Sequence, residues 1–191
     1  GMDFTGIGGA ATTMDMAQVE ILRGPQGTLF GANALAGMIH LVSNAPEAEP
    51  GGHAELIYGN YGRLSAAAAV GGPAGDSAAW RLAAQVNRGD GWYDNLHLGR
   101  PTNDIDEGYA RGRLDWTVSD RFDLGLVVFL ADIDNGYDAF SLDNTRDTYS
   151  DEPGQDTLET TGLALTGDWQ LNHALDLRAT LSHVDADSVY S

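Results

Sequence analysis

From residue 53 onward the chain repeats one pattern seven times: stretches of roughly ten residues in which apolar and polar side chains alternate. A period of two sends successive side chains to opposite faces of an extended strand, so each stretch predicts a strand with one apolar and one polar face. The third is the clearest, with Trp80, Leu82, Ala84 and Val86 against Arg81, Ala83, Gln85 and Asn87. In the fourth, Ala110, Gly112, Leu114 and Trp116 oppose Tyr109, Arg111, Arg113 and Asp115. The fifth sets Phe122, Leu124, Leu126, Val128 and Leu130 against Asp123 and Gly125, and the sixth sets Leu163, Leu165 and Trp169 against Thr166 and Asp168. Leu175, Leu177, Ala179 and Leu181 close the series opposite Asp176, Arg178, Thr180 and Ser182. Ala54, Leu56 and Tyr58 begin it; Leu64, Ala66, Ala68 and Val70 follow, although that alanine run also fits a helix. Such strands are long for a soluble sheet and match a tilted strand that crosses a bilayer.

The connections support that match. Residues 72–77, 119–120 and 172–173 are short turns, whereas 88–107 and 134–157 are long and rich in Asp, Asn and Gly. Short turns on one rim and long loops on the other are expected of a transmembrane barrel. Trp80, Trp116, Phe122 and Trp169 fall at the short-turn ends, and Tyr58, Tyr61, Trp92, Tyr93 and Tyr109 towards the loop ends, as two interfacial aromatic belts would.

Composition removes several other classes. Ten Lys+Arg against 28 Asp+Glu give a formal charge of −18, the wrong sign for a nucleic-acid footprint. With no cysteine there is no disulfide framework and no thiolate metal site. No stretch of 18 apolar residues predicts a transmembrane helix, which says nothing against membrane-spanning strands. Gly1-Met2-Asp3-Phe4 lacks the basic and apolar regions of a signal peptide.

Residues 19–43 differ in character: Val-Glu-Ile-Leu-Arg-Gly-Pro-Gln-Gly-Thr-Leu-Phe-Gly-Ala-Asn-Ala-Leu-Ala-Gly-Met-Ile-His-Leu-Val-Ser. Val19, Ile21 and Leu22 predict a short strand that Gly24-Pro25 stops, because proline lacks the ladder donor. Residues 28–33 fit one or two helical turns between Gly27 and Gly37, and 38–42 predict a second buried strand. This unit resembles the end of the plug domain of TonB-dependent outer-membrane receptors, where Val-Glu-Val-Leu-Arg-Gly-Pro-x-x-x-Leu-Tyr-Gly leads to Gly-Gly and an apolar strand. Ala36 stands where that family usually has the first glycine of the pair, and His40 where it usually has asparagine.

The resemblance implies a mainly β chain. Residues 1–45 would end an α+β plug domain, and 46–52, with Pro46 and Pro50, would link it onward. Residues 53–191 would form the first seven antiparallel strands of a partial, unclosed transmembrane β-barrel, 22-stranded in that family. It singles out Glu20, Arg23, Gly24, Pro25, Gly27, Gly31, Asn33 and Gly37 as plug-signature positions. Glu20 and Arg23 would face the barrel wall, against the plainer reading of a strand-end surface pair. The implied activity is energised uptake of a scarce ligand, such as a ferric siderophore, vitamin B12 or a glycan, across the bacterial outer membrane. The implied partners are outer-membrane lipid, an extracellular iron chelate, and the TonB complex, whose contact box would precede this chain. No cofactor, no nucleic acid and no covalent chemistry are implied. The competing reading is a soluble all-β ligand- or carbohydrate-binding module that uses Trp92, Tyr93 and the acidic loops.

Catalytic spacings are missing. The five histidines are scattered without His-Glu-x-x-His spacing, and no Gly-x-Ser-x-Gly elbow occurs. Gly24 to Gly31 lacks the Lys-Ser/Thr of a phosphate loop, and Gly6, Gly8 and Gly9 lack a flanking strand and helix. Asp132, Asp134 and Asp138 surround Asn135-Gly136 in a calcium-like cluster, but the glycine comes one residue early and the distal glutamate is missing. A solvated acidic rim is the alternative reading of that cluster.

Overall fold

The computed structural model describes residues 2–4, 7, 12–27, 35–139, 141, 143 and 145–191. The helical turns expected over 28–33, with Gly31 and Asn33, lie outside these. Twelve strands occur among the described residues: β1 (Met16–Arg23), β2 (Gly37–Ser43), β3 (Gly51–Tyr58), β4 (Leu64–Pro73), β5 (Ala78–Gly89), β6 (Tyr93–Asn95), β7 (Arg100–Thr102), β8 (Ile105–Ser119), β9 (Phe122–Tyr137), β10 (Asp147–Thr148), β11 (Gly154–Asn172) and β12 (Leu175–Tyr190). Strands β3, β4, β5, β8, β9, β11 and β12 make one antiparallel meander in chain order, with β3 and β12 as open edges. The alanine run is strand β4, paired on both sides rather than helical. Strands β1 and β2 form a separate hairpin, and β6, β7 and β10 a small sheet within the long loops.

Register settles the faces. Trp80, Leu114, Leu126, Leu165 and Leu181 stand side by side across five strands. Val70, Leu82, Gly112, Val128 and Leu163 form the next row. This apolar face is open: Leu82 is 54% and Leu181 75% exposed. The opposite face holds the core, where Ala69, Ala83, Tyr109, Phe129, Ala131, Ile133 and Leu158 pack under Met14, with Met2, Phe4 and Ile7 against them. Phe4 meets Phe129 edge-on at 5.3 Å between ring centroids. The distribution is inverted relative to a soluble sheet. Most large apolar side chains point outward, while Arg81, Arg111, Ser65 and Thr160 are buried under the N-terminal segment.

Three expectations change. Tyr109 is no belt residue: it shares the parity of Arg111, faces the covered side and is buried, with its hydroxyl on Glu107 at 3.3 Å. Trp92 and Tyr93 belong to the loops rather than to a belt on the sheet. The later strands are also longer than ten residues, with 16 in β9 and 19 in β11. Their apolar band still spans the expected height, from Phe122 to Leu130 on β9. Beyond it the same ladder continues with carboxylates outward, Asp132 beside Glu159 and Glu159 beside Asp187. At the short-turn end Trp116 and Trp169 are exposed, and Phe122 stacks edge-on against Trp169 at 6.0 Å.

Candidate functional site

The segment that opens the hairpin meets the sheet with Asp15 at its centre. Asp15 sits just before β1 with φ of 50°, an uncommon conformation that aspartate tolerates. Arg81 of β5 donates to both of its carboxylate oxygens, Nε at 2.8 Å and Nη2 at 2.6 Å. Arg111 of β8 reaches the same carboxylate at 3.3 Å and the Asp15 carbonyl at 2.7 Å. From the far end of the hairpin, Asn44 donates its side-chain amide to Asp15 at 2.8 Å and its backbone N–H to the Asp15 carbonyl at 3.1 Å. Burial by itself would raise this carboxyl, but the Arg81 and Asn44 hydrogen bonds and the two guanidinium charges hold it below the usual carboxylate range. A bidentate Arg–carboxylate contact fixes direction as well as distance. The open end of the hairpin is thereby fastened to two neighbouring sheet strands.

The signature positions occupy the other end of the hairpin. Glu20 is opposite His40 in the ladder and bonds its Nδ1 at 2.8 Å, an outward pair with side chains 35% and 40% exposed. Such a pair contributes about 0–1 kcal/mol. Arg23 is exposed at the end of β1. The charge that meets the sheet is therefore Asp15, and neither Glu20 nor Arg23 is brought to it. Gly24 has φ of 81°, and Pro25 and Gly27 continue the exposed turn. Gly37 is the tightest point: φ is 140°, and a Cβ would lie 2.6 Å from the Leu22 carbonyl oxygen.

A second polar centre forms where the long loops meet. Asp138 is 2% exposed. Its Oδ2 accepts from Thr102 at 2.7 Å, Thr148 at 2.6 Å and Asn95 at 3.1 Å. Its Oδ1 accepts from the Ala139 N–H at 2.7 Å and from the Ser150 hydroxyl. Burial opposes the charge, but these donors keep the carboxyl far below its ordinary range. Five donors fill a carboxylate that offers about four lone-pair sites, which leaves none for a cation. Asp132 and Asp134 lie on the exposed outward side of β9, so the calcium-like cluster is not gathered. Among the described residues no group of three acidic or histidine side chains is placed to hold a metal.

The covered side of the sheet is lined by ion pairs towards the short turns. Arg113 bonds Asp115 at 2.9 and 3.0 Å, and Arg178 bonds Asp168 at 2.5 and 3.1 Å. Both pairs edge an open hollow of about 930 Å³. These groups bind one another. None forms a nucleophile–base or acid–base pair.

Sequence reasoning did not single out Asp15, Arg81 or Arg111 as a unit. The available signal was that Arg81, Arg111 and Arg113, three of only ten basic residues, fall on the polar parity of adjacent strands. Asn95, Thr102, Thr148 and Ser150 carried no spacing signal.

No family model matches the chain. The ferrioxamine B receptor of Salmonella typhimurium (strain SL1344) is 30% identical over 118 residues, covering 60% of this chain and 16% of that protein. The pesticin receptor of Yersinia enterocolitica is 49% identical over 41 residues, covering 22% of this chain and 6% of that one. The chain therefore spans a small part of the length of the curated relatives it matches. Among solved structures, the ferric yersiniabactin uptake receptor FyuA of Yersinia pestis superposes with a TM-score of 0.76 at 19% identity, over 93% of this chain and 30% of that one. The ferric-catecholate import receptor Fiu of E. coli K12 gives 0.75 at 18% identity, over 92% and 27%. The relatives are receptors rather than enzymes. The outward apolar face, the fastened hairpin and the relatives agree: the chain is similar to a part of outer-membrane siderophore receptors and shares the fold of that part.

Proposed function

We propose that this chain is the plug-to-barrel segment of a receptor that imports a ferric chelate with energy from the TonB complex. Residues 1–45 end the plug, 46–52 link it onward, and 53–191 supply seven strands of the barrel wall and two long outer loops. Glu20, Arg23, Gly24, Pro25, Gly27, Gly31, Asn33 and Gly37 set the path of the plug's end, and the outward apolar rows contact lipid. The observation that carries the reading is the inverted sheet: its apolar rows point away from the N-terminal segment that covers it, and that segment is held by Asp15 on Arg81 and Arg111. A wall with a polar inner side and a fastened occupant suits passage of a hydrophilic ligand past a plug. The names of the relatives, which include receptors for ferrioxamine B and ferric yersiniabactin, favour an iron chelate as cargo.

The test is uptake of radioactive iron, presented as hydroxamate, catecholate and phenolate chelates, by cells whose other chelate receptors are deleted. One chelate should enter only when both this protein and TonB are present. Equal uptake of every chelate with and without the protein would overturn the reading.

A further inference from the structure

The two long loops are separate in sequence, yet they are joined to each other as well as folded on themselves. Strand β6 of the first loop pairs in parallel with β10 of the second, Asp94 beside Asp147 and Asn95 beside Thr148. The Asp94 N–H donates to the Arg146 carbonyl and the Leu96 N–H to the Thr148 carbonyl, each at 2.9 Å. Asn95 is 1% exposed and spends its side-chain amide on the second loop: on Asp138, on the Ser150 carbonyl at 2.9 Å and on the Ser150 hydroxyl at 3.1 Å. Its own carbonyl oxygen accepts from the Leu98 N–H at 2.8 Å, which folds the first loop around it. Gly91 lets the chain pass behind β7: with φ of 92°, its Cβ position lies 2.1 Å from the Thr102 carbonyl oxygen, so any side chain would be excluded. Arg146 also reaches across to Tyr61 in the β3–β4 turn, with its guanidinium carbon 5.7 Å from the ring centroid, and the Asp90 N–H bonds the Tyr61 carbonyl at 2.9 Å.

We propose that residues 90–104 and 145–153 act as one pre-assembled wall above the sheet, with the Asp138 carboxylate as the keystone that makes the loops open together or not at all. The physical ground is the asymmetry of buried hydrogen bonds. Removing one donor weakens a buried carboxylate to which both loops donate, so the loss is felt on both sides of it. Loops joined only by exposed contacts would open independently and at little cost. Any movement that admits a ligand therefore belongs to other parts of the rim, and this wall stays fixed. The inference does not depend on which ligand is carried.

Hydrogen exchange on the intact protein in detergent micelles tests it. Thr102→Val keeps shape and removes one donor, from the first loop only. Exchange should rise about tenfold or more in both loops, including the peptide over 147–150, which the substitution does not touch. Asp138→Asn, which places an amide among hydroxyl donors, should have a larger effect with the same distribution. Heat-modifiable gel mobility should be unchanged in both, because the sheet ladder lies outside the cluster. Faster exchange confined to 100–104, or no change in either variant, would overturn the proposal.

Discussion

The seven-stranded sheet and the β1–β2 hairpin both expose apolar side chains, but for opposite reasons. On the sheet, exposed Leu82, Leu165 and Leu181 belong to outward rows that cross several strands, with Trp116 and Trp169 exposed at the short-turn end of the same face. Interior strands have both neighbours, so the backbone is satisfied whatever lies against the face. On the hairpin, Val19 and Ile21 are 48% and 71% exposed opposite Leu41 and Ile39, on a ladder of only two strands. Two strands alone are marginal in water. The sheet holds its outward apolar rows on a ladder whose interior strands are paired on both sides, whereas the hairpin is tied down by the contacts of Asp15 and Asn44. The difference lies less in hydrophobicity than in where each region finds its polar partners.

The attachment offers the largest test of that contrast. Asp15→Ala in the full-length protein leaves two buried guanidinium groups without their carboxylate, at a local cost of about 3–5 kcal/mol. Protease sensitivity should appear at the hairpin and not in the sheet. Equal protection of the hairpin in variant and parent would dissolve the distinction between the regions. Next is the sheet's own polarity. Leu126→Arg, outward between Leu114 and Leu165, should destabilise folding in lipid by about 2–4 kcal/mol. Gly125→Arg faces the covered side, where the Asp115 carboxylate is 3.5 Å from the Cβ position, and should cost far less in the same refolding titration. Similar losses from both would mean the faces are assigned wrongly.

Gly37→Val sharpens the comparison from the hairpin side. The positive φ and the 2.6 Å approach to the Leu22 carbonyl make any β-branched residue strained there, by about 1–3 kcal/mol. The barrel should still assemble, with normal heat-modifiable mobility, while whole-cell chelate uptake falls. Normal uptake would show that the hairpin's path does not govern transport. Acid should produce the mildest version of the Asp15 effect. Because the folded carboxyl lies below its unfolded value, the attachment is complete above about pH 4 and is lost progressively as pH falls further. Exchange at Asn44 and along β1 should therefore rise at low pH, and Asp15→Asn should abolish the pH dependence.

Several features were legible from local pattern alone. The period-two alternation located all seven sheet strands and the side their residues take, Tyr109 beside Arg111 included, because parity along an extended strand is a covalent fact; only the belt role given to Tyr109 failed. The short turns likewise followed from composition. Strand β9 was read less fully: Val127, Phe129, Ala131 and Ile133 make its covered side apolar as well, a feature the outward alternation hid.

What only the tertiary structure decided are the two buried carboxylates. Asp15 draws partners from positions 44, 81 and 111, and Asp138 from 95, 102, 148 and 150, separations that no local spacing encodes. In the sequence Asp15 looks like any of the other acidic residues of a chain with 28, and Asp138 stands out only as a member of the calcium-like cluster. A carboxylate's role depends on which donors surround it after folding, and those donors are brought in by strand register and loop closure. Parity along a strand needs only the neighbouring residues, whereas satisfying a buried charge needs the whole sheet in place.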